Sequence, residues 1–210
     1  MADLKRICDA LQAGDVDTVV TLTRQALDEG LDVETILNEA LLKGMDIIGE
    51  KFKASEVFVP DVIFAARAMT SAMELLQPIL TEHGVEPVGQ VIIGTVKGDL
   101  HDIGKNLVAM MLSGGGFLVS DLGHDVTPER FIDAARQNPN AIVAMSALLT
   151  TTMPRMADVV QGLKKAGLKK VKVMIGGAPV TRNFAAEIGA HGYAPDAATA
   201  VDLAKSLVGA

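Results

Sequence analysis

The chain has a single cysteine, Cys8, so no disulfide can form within it. Tryptophan is absent and there are only one tyrosine and six phenylalanines, so a core drawn from the 49% hydrophobic residues must be mostly aliphatic and methionine. The apolar runs are short and interrupted, and none approaches the roughly 18 residues that span a bilayer. The opening residues, Met1-Ala2-Asp3-Leu4-Lys5-Arg6, lack the basic-then-apolar order of a secretory signal. An excess of positive charge is missing too, since the net charge is −7 over 210 residues. These absences predict a cytoplasmic protein with neither a membrane nor a nucleic-acid partner.

The charge is unevenly spread. Residues 1–88 carry seven Lys/Arg against sixteen Asp/Glu, a net −9, whereas residues 89–210 carry twelve against ten, a net +2. The periodicity changes at the same place. From Leu4 to about Glu82 apolar residues recur at three- and four-residue spacings, as at Val19, Leu22, Ala26 and Leu27. Asp32 is placed to cap one helix and Asp15 or Asp17 to open another. The pattern predicts four helices, at roughly 2–12, 15–29, 32–52 and 60–80, with a turn over 55–60.

His83–Gly89 holds two glycines and a proline without periodicity and reads as a linker. Beyond it strands and helices alternate. Strands are expected at Gln90–Thr95, Phe117–Asp121, Ala141–Met145, Val171–Ile175 and His191–Tyr193. Helices follow at about Asp102–Leu112, from Thr127-Pro128, from Pro154, from Thr181, and over Ala197–Leu207. Such alternation means a parallel sheet covered by helices on both faces. The predicted class is therefore α/β: a four-helix bundle cap over 1–84, a linker at 85–89, and a flavodoxin-like (Rossmann-like), doubly wound, five-stranded parallel sheet over 90–210.

In such sheets ligands bind at the carboxyl ends of the strands, and there the polar and glycine residues gather. After the first strand comes Lys97-Gly98-Asp99-Leu100-His101-Asp102-Ile103-Gly104-Lys105-Asn106. Ser146-Ala147-Leu148-Leu149-Thr150-Thr151-Thr152 follows the third, and Gly176-Gly177-Ala178-Pro179 the fourth. This is not a P-loop, which has four residues between its first glycine and Gly-Lys, then Ser or Thr. Here five residues separate Gly98 from Gly104, and Asn106 follows the lysine. A G-x-G-x-x-G fingerprint is also absent after the first strand.

Asp99 and His101 stand two apart in a loop, which lets the carboxylate turn back onto the imidazole. One ring nitrogen can then donate to Asp99 while the other binds a metal. A single histidine cannot hold a bare metal ion, because protein sites supply three or four ligands. His83, His124 and His191 are scattered along the chain and there is no cysteine pair. A metal at His101 should arrive already held by a macrocycle. Taken alone, though, a lone loop histidine is more often a capping residue with no ligand.

The segment Asp99-x-His101-x-x-Gly104, with Ser146-x-Leu148 and Gly176-Gly177, resembles the cobalamin-binding signature of methionine synthase and of the corrinoid proteins in methyltransferase systems. The spacings agree with that family: 41 residues lie between Gly104 and Ser146, and 27 between Leu148 and Gly176. The string from Thr95 to Asn106 is similar to the family loop almost residue for residue, and the front half is similar to its helical cap.

The resemblance implies a cobalamin or related corrinoid, in its methylcobalamin form, with His101 replacing the corrinoid's own lower base on cobalt. It implies that Asp99 and a hydroxyl at Thr152, with Thr151 as the alternative, extend a relay from His101. It implies a groove for the displaced nucleotide tail lined by Gly104, Ser146, Leu148, Gly176 and Gly177, and corrin contacts from Gly98, Asp102, Ile103 and Thr150. Small residues there let a long tail pass close to backbone. Phe52 and Val59 match the positions flanking the methyl-bearing face. Methionine synthase has serine at the Thr152 position and leucine at the Val59 position.

The function so implied is a methyl carrier that cycles between Co(I) and methyl-Co(III). A donor-specific methyltransferase would load it from a methylamine, methanol, an aryl methyl ether or a betaine. A folate-type acceptor methyltransferase would unload it, and a reductive activase would rescue it. Such a chain is not catalytic alone. Two rivals share the signature. A cobalamin-dependent sensor places a tryptophan near the upper face and adds a DNA-binding domain. The small subunit of an adenosylcobalamin mutase lacks the helical cap.

Overall fold

The computed structural model describes residues 3–210. They fall into two compact units, one reaching to Pro87 and including Ser113–Gly116, the other comprising Val88–Leu112 and Phe117–Ala210. The break at Pro87 lies inside the expected linker. The four-residue return of Ser113–Gly116 to the first unit interrupts the continuous second domain that the alternation suggests.

The first unit is helical: α1 (Leu4–Gln12), α2 (Val16–Asp28), α3 (Val33–Ile36), α4 (Lys43–Lys53) and α5 (Val59–Glu82). The expected start of the first helix at Ala2 lies outside the described residues. Aspartates open these helices. Asp15 accepts from the Thr18 N–H at 3.1 Å and Asp32 from the Thr35 N–H at 2.9 Å. Each satisfies an amide that has no partner inside its helix. Asp15, not Asp17, is the cap, and Asp17 sits in the first turn.

Residues 32–52, expected as one α-helix, are instead α3 and α4 joined through a π-helical turn over Leu37–Leu42. Periodicity cannot reveal it, because one extra residue per turn leaves Ile36, Ala40, Leu41, Met45 and Ile48 all buried. Gly44 allows α1 and α4 to approach, since a Cβ there would stand 2.9 Å from Leu11 Cδ2.

The second unit is the α/β part: β1 (Gly89–Thr95), α6 (Ile103–Gly114), β2 (Phe117–Asp121), α7 (Pro128–Gln137), β3 (Ile142–Ser146), α8 (Pro154–Lys165), β4 (Lys172–Gly176), α9 (Arg182–Ile188), β5 (Gly192–Tyr193) and α10 (Ala197–Val208). All strand pairs are parallel and the order is β2-β1-β3-β4-β5, which is the flavodoxin-like order. The central strands are buried along nearly their whole length, with Val91–Thr95 and Ile142–Met145 all inside. Continuous burial of this kind follows from helices on both faces.

Thr127 caps α7 with Pro128 at its first position. That helix presses Phe131, fully buried, onto β1 at Gly94, where a Cβ would stand 2.8 Å from Phe131 Cζ. Burying a phenylalanine in this way contributes about 1.5–3 kcal/mol.

The sheet order places the chain's crossover between β1 and β3, the point where ligands of such sheets bind. Register sharpens this, because Thr95 pairs with Ser146 and Ser146 with Gly176. The three motif segments thus leave the sheet side by side, from one row of residues.

Candidate functional site: a histidine held by a buried carboxylate

Asp99 is fully buried in the loop after β1. Its Oδ1 accepts from His101 Nδ1 at 2.7 Å and from the His101 backbone N–H at 3.1 Å. Its Oδ2 accepts from the Leu148 N–H at 2.8 Å, the Leu149 N–H at 3.3 Å and the Thr152 hydroxyl at 2.7 Å. Burial pushes the Asp99 carboxyl up. The bonds from Thr152, Leu148 and His101 outweigh it and hold the group well below the usual carboxylate range.

An ionised Asp99 fixes the roles of its neighbours. His101 Nδ1 must donate, so the ring's lone pair is left on Nε2. The His101 side chain is 52% exposed, so Nε2 belongs to a ring that faces outward from a buried anchor. The Thr152 hydroxyl also lies 2.9 Å from the Leu149 carbonyl, but it has one hydrogen, and the carboxylate is the stronger acceptor. Thr152 is therefore the third member of the chain, and Thr151 is exposed. The alternative left open by the sequence is resolved by the last turn before α8, which buries Thr152 and turns its neighbour out.

Backbone holds the loop in place. The buried Thr95 hydroxyl donates to the His101 carbonyl at 3.0 Å, and the Val96 N–H donates to Ser146 at 3.0 Å. Gly98 has φ +84, a left-handed conformation that glycine accepts without strain. Lys105, almost fully buried at the start of α6, pairs with Asp121 at the end of β2. The pair ties the helix that follows His101 to the sheet. Sequence spacing alone singled out neither Thr95 nor Lys105. A hydroxyl and an amine inside an apolar surround were the available signal.

The glycines behave in two ways. Gly177 has φ +127, and a Cβ there would meet the Ala147 carbonyl oxygen at 1.9 Å; at Gly176 a Cβ would meet the Ala194 carbonyl oxygen at 2.9 Å. Both positions are closed to any side chain by neighbouring backbone. At Gly104 nothing lies within 4 Å of the added atom, so the space beside His101 is open. Around it Leu100, Ile103, Leu148 and Leu149 are exposed, Ile103 at 84%. Asp102 is half-buried and its backbone carbonyl accepts the Asn106 N–H at 2.7 Å, and Thr150 is exposed. Phe52, half-buried in α4, and Val59, 39% exposed at the start of α5, belong to the first unit.

Among the described residues no group of three or more His, Cys, Asp or Glu side chains is placed to hold a metal ion. A metal at His101 must bring its other ligands. A corrinoid fits the residues present, which offer one outward imidazole nitrogen, an apolar rim, and open space at Gly104.

Comparison with known proteins agrees. The B12 binding domain model matches residues 89–202, and a second B12 binding domain model matches residues 3–77. A corrinoid protein of Desulfitobacterium hafniense is 38% identical, over 100% of this chain and 99% of its own. Dimethylamine corrinoid protein 1 of Methanosarcina acetivorans is 40% identical, over 98% of this chain and 97% of its own. The methanol:cobalamin methyltransferase complex of Methanosarcina barkeri contains a chain that superposes with a TM-score of 0.85 at 29% identity, covering 98% of this chain and 79% of that one. The chain belongs to the B12 binding domain family, among the corrinoid proteins of methyltransferase systems, and binds cobalamin or a related corrinoid.

Proposed function

We propose that the chain is the methyl-carrying subunit of a multi-component methyltransferase system, with His101 Nε2 as the protein ligand to cobalt. When bound, the corrinoid supplies a cobalt centre that accepts and releases a methyl group. The protein would supply the His101 Nε2 nitrogen and, through Asp99, its orientation. The observation that carries this reading is the Asp99–His101 pair. A buried, ionised carboxylate on Nδ1 keeps the lone pair on Nε2 and makes the imidazole a stronger donor.

Off the metal, a protonated His101 would keep its Nδ1–H on Asp99, whose negative charge faces the ring. Thr152 and the Leu148 N–H hold the other carboxylate oxygen meanwhile, so the anion does not turn away from the ring. Gly98, Asp102, Ile103, Gly104, Ser146, Leu148, Thr150, Gly176 and Gly177 would line the corrinoid and its nucleotide tail, and Phe52 and Val59 would shield the methyl face.

The donor we infer is a methylated amine, on the strength of relatives named for dimethylamine and trimethylamine at 38–40% identity across nearly the whole chain. A donor-specific methyltransferase loads the carrier, an acceptor methyltransferase of folate type unloads it, and a reductive activase restores it.

The test is transfer of label. The corrinoid-loaded, reduced protein is incubated with a cognate methylamine methyltransferase and ¹³C-methyl dimethylamine or trimethylamine. Stoichiometric ¹³C-methyl on the holoprotein, passed on when an acceptor methyltransferase is added, supports the reading. No label from either amine overturns the amine reading, and no label from methanol, an aryl methyl ether or a betaine with its own methyltransferase overturns the carrier reading as well.

A further inference from the structure

The loop between β2 and α7 carries a residue outside the signature that reaches the His101 loop at three points. Asp125 Oδ1 accepts the Gly98 N–H at 2.8 Å. Its Oδ2 pairs with Lys97 Nζ at 3.0 Å. Its own N–H donates to the Asp99 carbonyl at 3.0 Å. These bonds bracket the Gly98–Asp99 stretch on both sides, at the point where the chain turns to send the Asp99 carboxylate inward.

The surrounding backbone supports the same clamp. Val126 forms a parallel bridge with Val96, with its N–H on the Thr95 carbonyl at 2.9 Å. The Thr95 N–H in turn reaches the Gly123 carbonyl at 2.9 Å.

Asp125 adopts φ 54, one of two non-glycine residues in the left-handed region among those described. Glycine would take that conformation without cost, whereas aspartate does so with strain. An aspartate there is explained by what its carboxylate does. The Lys97 ion pair is half-exposed and contributes little. The bond to the Gly98 N–H is the one that fixes the loop, since a carboxylate on a backbone amide is a charge-assisted contact.

We propose that Asp125 is a positioning residue for the cobalt ligand: its carboxylate and its amide lock the Gly98–Asp99 turn so that Asp99 Oδ1 meets His101 Nδ1. This rests on the reading of His101 as the metal ligand. The residue does not touch the cofactor site itself. It acts through the loop, and through Asp99 on the tautomer and aim of His101.

The experiment uses the full chain with Asp125→Gly, Asp125→Ala, Asp125→Asn and His101→Ala. The glycine variant keeps the backbone conformation and removes the carboxylate. Asparagine tolerates the left-handed region and still offers an oxygen to the Gly98 N–H. Two quantities are read. Ring ¹⁵N chemical shifts of the corrinoid-free protein report which His101 nitrogen carries the proton. Electron paramagnetic resonance of ¹⁵N-histidine-labelled protein after loading with Co(II) cobalamin reports, by its two-line splitting, the fraction with a histidine nitrogen on cobalt.

The glycine and alanine variants should lose the fixed Nδ1–H form, and their ratio of nitrogen-ligated to unligated cobalt should fall roughly tenfold, the usual scale for a lost partner behind a metal ligand. Asparagine should restore it to within about twofold of wild type. A role in folding strain alone predicts the opposite for glycine, at or above wild type. If Asp125→Gly matches wild type in both measurements while His101→Ala loses the ¹⁵N splitting, this inference is wrong and the ligand reading stands. If His101→Ala keeps the ¹⁵N splitting, the ligand reading fails and takes the inference with it; a ¹⁴N splitting there is the corrinoid's own base returning to cobalt.

Discussion

His101 Nδ1 lies 2.7 Å from Asp99 Oδ1, and the Thr152 hydroxyl lies 2.7 Å from Asp99 Oδ2. One fully buried carboxylate therefore holds an outward-facing imidazole on one oxygen and is itself held on the other. The arrangement gives a loop residue the fixed aim of a core residue.

Removing the hydroxyl tests that hold. Thr152→Val keeps the shape and deletes a donor to a buried anion. It should cost about 1.5–3 kcal/mol of stability, the range for hydrogen bonds to charged groups. Thr152→Ser should recover most of it. Urea unfolding of the three proteins at pH 7 checks this; equal midpoints for valine and wild type would remove Thr152 from the chain of contacts.

Acid should act through the same carboxyl. The folded Asp99 titrates below its ordinary value near 3.9. The stability it contributes is fully present above about pH 4 and is lost as pH falls below it toward the depressed value. Asp99→Asn should be less stable at pH 7 and show a shallower loss between about pH 4 and pH 2. Parallel curves for the two proteins would mean that Asp99 has no linked role.

The glycines should separate folding from binding. Gly177→Ala puts a Cβ onto the Ala147 carbonyl at a φ of +127, so it should fail to fold normally or melt far below wild type. Gly104→Ala enters open space within a helix, where alanine is favoured by about 1 kcal/mol. Its melting temperature should hold or rise. Gly104→Leu should fold yet take up corrinoid more weakly, read by cobalamin titration. Unweakened uptake by Gly104→Leu would place the tail elsewhere.

Phe131→Ala supplies a contrast away from the site. It empties the space over Gly94 and should cost about 3–5 kcal/mol without changing the His101 tautomer. Thermal unfolding and ring ¹⁵N shifts check the two halves of that statement.

Much of this was legible in the chain. Alternation after Gly89 yields the five strands and puts the loops that carry Asp99, His101, Ser146 and Gly176 at the strand ends. The register of Thr95, Ser146 and Gly176 explains why the spacing works: it brings three loops out in one row. What stayed hidden depends on side chains that turn in or out over one residue. Thr151 and Thr152 are indistinguishable until the turn before α8 is built. Asp125 is a lone aspartate in a loop until its φ of 54 and its bond to Gly98 are seen. The π turn at Leu37–Leu42 leaves the buried pattern of a continuous helix intact.

The central claim is that His101 Nε2 is the protein's ligand to cobalt. The most direct test loads the protein with Co(II) cobalamin after growth on ¹⁴N- or ¹⁵N-histidine and records the axial nitrogen splitting by electron paramagnetic resonance. The account predicts that the splitting changes from the three-line pattern of ¹⁴N to the two-line pattern of ¹⁵N in wild type, and that the two-line pattern is absent from ¹⁵N-labelled His101→Ala while corrinoid remains bound. A splitting indifferent to the histidine label, or a two-line pattern that persists in ¹⁵N-labelled His101→Ala, would contradict it.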